Sequence, residues 1–168
     1  MKKKSIVVLL SACLVSVLTF AVWPVRVLEV SLPRKGDRLI AAMRVRAGDP
    51  VLIQYRHSVE LIEVEGLFLV GPESGLIAVE TRFESSGSGL PNSSPERTSL
   101  KDGWLVVDEK NRPLEAFRFY IVPINQTRLT VAGKPIPIAA LDSGTLIQLK
   151  SFEISQMEWL FSMNRSVI

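Results

Sequence analysis

Leu76-Ile77-Ala78-Val79-Glu80-Thr81-Arg82-Phe83-Glu84 is the stretch that decides the fold class. Ile77, Val79, Thr81 and Phe83 alternate with Ala78, Glu80, Arg82 and Glu84, the period-two pattern of a strand with one wet face. Gly71-Pro72-Glu73-Ser74-Gly75 ahead of it reads as a hairpin connection, and Leu61 to Val70 as the partner strand. Gly66 interrupts that partner, and a glycine inside a strand marks a bulge or a close backbone approach. Further upstream, Gly48-Asp49-Pro50 turns into Val51 to His57, where Val51, Ile53 and Tyr55 share a face with His57 at its end.

The same alternation of β-favouring runs and turn signals continues outward. Val27 to Leu32 and Arg38 to Arg46 precede the central strands, the second with Leu39, Ala41, Met43 and Val45 on one face. Ser85 to Ser99 is the longest stretch without a strand pattern, and loops of that length in compact domains are mobile or functional. Beyond it, Asp102-Gly103 turns into Trp104 to Asp108, and Asp108 to Pro113 turns back into Leu114 to Val122. Two more strands, Arg128 to Val131 and Thr145 to Phe152, bracket the turn at Ala132-Gly133-Lys134-Pro135. The tail from Glu153 carries Ile154, Met157, Leu160 and Phe161 at helical spacing, which predicts a short helix covering an open edge or end of the sheet. The expected fold is all-β, a small antiparallel sandwich or partly open barrel with a short C-terminal helix.

Ser5 to Trp23 is uncharged and follows Lys2-Lys3-Lys4. As a helix it spans about 28 Å, close to the hydrocarbon thickness of a bilayer. A cleaved signal peptide requires small residues at the cut, and Thr19-Phe20-Ala21 is a poor site. Leu10-Ser11-Ala12-Cys13 has the look of a lipobox, but strongly apolar sequence follows Cys13. An uncleaved transmembrane signal anchor is the favoured reading. It divides the chain into residues 1–28 and a single domain, 29–168, held on the extracytoplasmic side of the cytoplasmic membrane by one pass.

Composition narrows the domain's chemistry. The net charge of +3 comes from 20 basic and 17 acidic residues, and the lysine triplet accounts for the whole excess. The remainder is balanced and lacks the field that draws proteins to phosphate backbones, so nucleic acid is not the expected partner. Cys13 is the only cysteine and His57 the only histidine, which argues against thiolate catalysis, a transition-metal centre or a bound cofactor.

Two segments stand out as a candidate site. Tyr55-Arg56-His57-Ser58-Val59-Glu60 ends a strand with clustered hydrogen-bonding groups. Ser85-Ser86-Gly87-Ser88-Gly89-Leu90-Pro91 can present consecutive backbone N–H groups as an anion-binding nest. His57-Ser58-Val59, the acidic Glu65, and Gly87-Ser88-Gly89-Leu90-Pro91 resemble, from about Gly48 to Leu149, the bacterial family catalogued as domain of unknown function 1850. Members usually read Gly-Ala-Gly-Leu-Pro where Ser88 stands here, and often Thr-Pro where Ile62 and Glu63 stand. The resemblance implies a small exported or anchored protein, often encoded beside or fused to a TAXI-type TRAP transporter permease.

Plainer roles compete with these. A lone strand-end histidine is usually a structural hydrogen-bonding group. Ser58 falls on the opposite face if the strand continues, and Gly87-Ser88-Gly89 lacks the fuller pattern of a nucleophile elbow. Glu80, Arg82 and Glu84 read as a solvated face. The first functional expectation is an accessory module that binds a TRAP permease or its solute-binding protein through His57, Ser58, Glu65, Ser86, Gly87, Ser88, Gly89, Leu90 and Pro91. A stand-alone small-ligand domain comes second, and a serine hydrolase using His57 with Ser58 or Ser88 last. Because strands one apart in a meander end on the same side, His57 and the start of the glycine loop should emerge at one end of the sheet.

Overall fold

The computed structural model describes residues 2–84 and 95–162. Helix α1 runs Lys2–Val22 and passes through Trp23 directly into strand β1, Pro24–Leu32. The first strand thus begins three residues before the sequence pattern places it. Val8, Leu9, Leu10, Leu14, Val15, Val17, Leu18, Phe20 and Val22 are all exposed, so α1 shows apolar side chains on every side from Val8 to Val22 and, among the described residues, is left largely uncovered. Among the described residues, no helix is long and apolar enough to cross a membrane.

Between α1 and a short C-terminal helix, the described residues form two antiparallel sheets. The smaller sheet orders β2 (Arg38–Arg44), β1, β11 (Leu146–Ser155) and β8 (Phe117–Tyr120). The larger orders β10 (Lys134–Ile136), β9 (Arg128–Val131), β3 (Pro50–Arg56), β4 (Glu63–Val70), β5 (Leu76–Phe83), β7 (Trp104–Leu114) and β6 (Thr98–Lys101). Leu28, Val30, Ile147 and Leu149 from the first sheet share one core with Val51, Ile53, Phe68, Leu129 and Val131 from the second. A satellite cluster, Val64, Phe83 and Val107, lies toward one end of the larger sheet. The architecture is two unequal sheets packed on one core, and no closed barrel forms among the described residues.

Four elements differ from the sequence pattern, each for a reason the pattern cannot carry. Asp108 to Pro113 is not a turn: β7 continues through it, with Lys110 and Asn111 at positive φ. Opposite this bulge, the register of β5 slips at Val79 against both neighbours. Because side chains alternate, one extra residue exchanges the faces. Leu76 and Ala78 therefore point into the core together with Phe83, while Ile77 and Val79 do not reach it. A similar slip at Ile40 buries that residue in place of Leu39. After β7 the chain leaves the larger sheet at Glu115-Ala116, so β8 pairs with β11 on the other layer.

The C-terminal helix, α2, runs Gln156–Ser162. Ile154 belongs to β11 instead, and the start is set by a capping box at Ser155-Gln156-Met157-Glu158. Glu158 N–H donates to Ser155 Oγ at 3.1 Å, while Ser155 N–H and Oγ–H donate to Glu158 Oε2 at 2.8 and 2.9 Å. The backbone and side-chain bonds from Ser155 hold the Glu158 carboxyl below the usual carboxylate range. A lowered folded-state value means the cap's contribution is present above the unfolded value and lost as pH falls through the folded one. Titration followed by NMR should show the Ser155 amide and Glu158 carboxyl moving together, with a midpoint below that of an ordinary glutamate. A midpoint at or above the ordinary value would remove the box.

One end of the sandwich is defined by α1. Trp23, Pro24, Arg26, Arg44, Arg46 and Asp49 line a common hollow there, and Arg26 donates to the Pro72 carbonyl at 2.5 Å and pairs with Glu153. Strand β3 starts beside this hollow at Pro50 and runs away from it, which places the His57 turn at the opposite end.

Candidate functional site

Residues 57–62 form a tight turn between β3 and β4. His57 N–H donates to the Ile62 carbonyl at 2.8 Å and Leu61 N–H to the His57 carbonyl at 2.9 Å. Leu61 takes a positive φ of 57° to close the loop. Glu60 N–H donates to His57 Nδ1 at 3.3 Å, so this ring nitrogen serves as an acceptor within the turn. The imidazole fastens its own turn. Ser58 and Val59 are exposed at the tip.

Strand β5 ends beside this turn. Glu84 N–H donates to the Glu63 carbonyl at 3.3 Å, and Glu63 N–H returns a bond to Glu84 Oε2 at 2.9 Å. The His57 turn and Glu84 at the end of β5 therefore both adjoin the start of β4. Ser86, Gly87, Ser88, Gly89, Leu90 and Pro91 themselves lie outside the described residues.

Glu65 is not brought to the face that carries Tyr55. It stands opposite Gln54 and Arg82 in the register of β4, on the outer face, where Gln54 Nε2 donates to Glu65 Oε1 at 2.6 Å. Arg82 donates to Glu80 Oε1 through both Nε and Nη2. Glu65, Glu80 and Arg82, together with Leu52 and Leu67, bound a shallow hollow of about 190 Å³. Glu80 and Arg82 are half-buried members of a polar row and not a fully solvated face. Partial exposure holds their pairing to about 1 kcal/mol or less.

A second hollow, which the motifs do not indicate, opens on the inner face of the larger sheet. It measures about 170 Å³ and is lined by Ile53, Tyr55, Val64, Phe68, Ala78 and Phe117, with Thr81, Glu109 and Arg112 at its polar side. It exists because β8 is only four residues long and leaves that inner face partly uncovered. Gly66 and Ala78 contribute almost no volume, and a Cβ on Gly66 would stand 3.1 Å from the Phe68 ring. Phe68 packs on Phe117 with ring centroids 4.5 Å apart. Thr81 Oγ1 donates to Glu109 Oε1 at 3.1 Å, and Arg112 donates to Glu109 Oε2 at 3.4 Å. Burial raises the Tyr55 phenol above its ordinary value, which keeps it protonated at neutral pH. Gly66 was the one sequence signal for this hollow, since it marked a close approach without saying of what.

The hollow is smaller than the roughly 300–1,000 Å³ of a typical small-molecule site. It suits one side chain of a partner or a solute of few atoms. Among the described residues no group of His, Cys, Asp and Glu side chains could hold a metal ion.

No curated protein and no solved structure matches the chain. The sequence model of one family, described as domain of unknown function (DUF1850), matches residues 51–138. That span covers β3 to β10, including the His57 turn, Glu65, both hollows and the glycine-rich segment. It is more than half of the 168 residues, and the chain belongs to the family of the domain of unknown function DUF1850.

Proposed function

We propose that this protein is a membrane-anchored, extracytoplasmic accessory module of a TAXI-type TRAP uptake system, acting by binding its permease or solute-binding protein. The observation that carries the reading is the pairing of an α1 that is apolar on every side with a β domain whose motif end faces away from it. A helix apolar all round calls for an apolar surrounding, and a bilayer around α1 would leave the His57 turn pointing outward to meet a soluble partner. Family membership supports the transporter as neighbour through the resemblance implied by His57-Ser58-Val59 and the glycine-rich segment.

The test is affinity purification of the tagged full chain from detergent-solubilised membranes of cells that express the permease and solute-binding protein. The chain should sediment with membranes and carry one of the two proteins with it. His57→Ala should weaken that capture several-fold while costing only about 1 kcal/mol of stability, the value of one local hydrogen bond. Recovery of the chain without either protein, or full capture by His57→Ala, would overturn the partner reading.

The inner hollow favours a second reading, a small-ligand-binding domain acting alone. Its polar side, Thr81, Glu109 and Arg112, offers hydrogen bonds to a solute whose apolar part rests on Phe68 and Phe117. A hydrolase stands behind both, since His57 Nδ1 already accepts the Glu60 N–H and Ser58 lies exposed at the turn tip.

A further inference from the structure

We propose that α2 lies in the headgroup region of the bilayer that surrounds α1, with Met157, Leu160 and Phe161 turned into the acyl boundary. The inference rests on the anchor reading above and adds a second contact between protein and lipid. Positions 157, 160 and 161 are spaced i, i+3 and i+4 and form one helical face. That face is 49 %, 54 % and 73 % exposed, whereas Gln156 and Trp159 on the other face are each 8 % exposed. A helix that buries its glutamine and shows solvent its methionine, leucine and phenylalanine has the outward polarity of an interfacial helix. Trp159 docks α2 on the domain beside β1 and β11, in keeping with the expected cover at the end of the sheet, and the apolar stripe faces away.

The position of α2 names the occupant of that stripe. Gln156 N–H donates to the Trp23 carbonyl at 2.8 Å, and α2 touches both α1 and β1. The helix therefore begins at the level where α1 ends. If α1 is in the bilayer, this level is its surface, where the exposed Trp23 also fits. The charges nearby do not select anionic lipid. Arg26 pairs with Glu153, Arg44 lies over the Trp159 ring, the Asp49 carboxylate accepts the backbone N–H of Arg46, and Glu158 is held in the cap. Among the described residues here, Arg26, Arg44 and Arg46 are matched by Glu153, Asp49 and Glu158, so the contact is apolar and should persist on zwitterionic lipid at high salt.

Cys13 makes the test direct, because it is the only cysteine and sits in α1. The full chain is labelled with an environment-sensitive fluorophore at Cys13, or in a Cys13→Ser background at Met157→Cys, Phe161→Cys or Val59→Cys, and reconstituted in phosphatidylcholine vesicles. All four positions are exposed. The labels at 157 and 161 should be quenched by lipid brominated near the headgroup, and shielded several-fold from aqueous iodide relative to the label at 59, with no change at high salt. A Cys13 label quenched by lipid beside iodide-accessible labels at 157 and 161 overturns this proposal alone. An iodide-accessible Cys13 label overturns the anchor reading and this proposal with it. Labels at 157 and 161 shielded from both quenchers show a protein cover on α2 and also overturn it.

Discussion

Gly75→Ala is expected to cost the domain about 3 kcal/mol or more. Gly75 closes the β4–β5 hairpin at a φ of +71°, and a Cβ there would stand 2.2 Å from the Leu114 carbonyl oxygen and 3.1 Å from its carbon. Both atoms are backbone at the point where the chain leaves the larger sheet, so no rotamer change can relieve the overlap. The same residue ties the layers together, since Gly75 N–H donates to the Ser151 carbonyl of β11 at 2.7 Å, and Gly71 N–H donates to the Gly75 carbonyl at 3.0 Å. Gly103→Ala is the matched control. Its φ is +83°, but a Cβ would meet nothing within 4 Å, which leaves only the left-handed backbone cost of about 1 kcal/mol. Chemical denaturation of the full chain in detergent should separate the two variants clearly. Equal losses would show that the hairpin is not wedged against β7.

Phe68→Ala is the second large effect, about 3–5 kcal/mol. Phe68 is buried in the core cluster, packs on Phe117 and forms the floor of the inner hollow. Its removal forfeits the transfer energy of the ring and leaves a void that the surrounding strands cannot collapse into, because they are held in register on both sides. Gly66→Ala pushes on the same ring from the opposite direction. The added methyl meets Phe68 Cε2 at 3.1 Å, an aromatic edge that can give way, so the loss should be about 1 kcal/mol and the hollow should shrink. If the hollow binds a solute, Gly66→Ala should therefore weaken binding at nearly unchanged stability, whereas Phe68→Ala should damage both. A Phe68→Ala protein within about 1 kcal/mol of the parent would place the ring outside the core.

What the sequence determined by itself was local. The all-β class and most strand positions followed from period-two patterning, as Val51, Ile53 and Val70 in the core attest. The meander placed His57 beside the end of β5, and the family motifs were readable as letters in order. The capping signature at Ser155 and Glu158 was equally local and could have set the start of α2, where apolar periodicity misplaced it. What only the tertiary structure decided was everything that depends on a neighbouring strand. A bulge is a mismatch between two strands, so neither the flip at Val79 nor the one at Ile40 is visible in the strand that carries it. The passage of β8 to the other sheet, the outward face of Glu65 and the hollow left by a short edge strand arise from pairing across the whole chain. The face α2 turns outward was also settled there, because periodicity marks an apolar stripe and only the packing of Trp159 shows which side of the helix the domain takes.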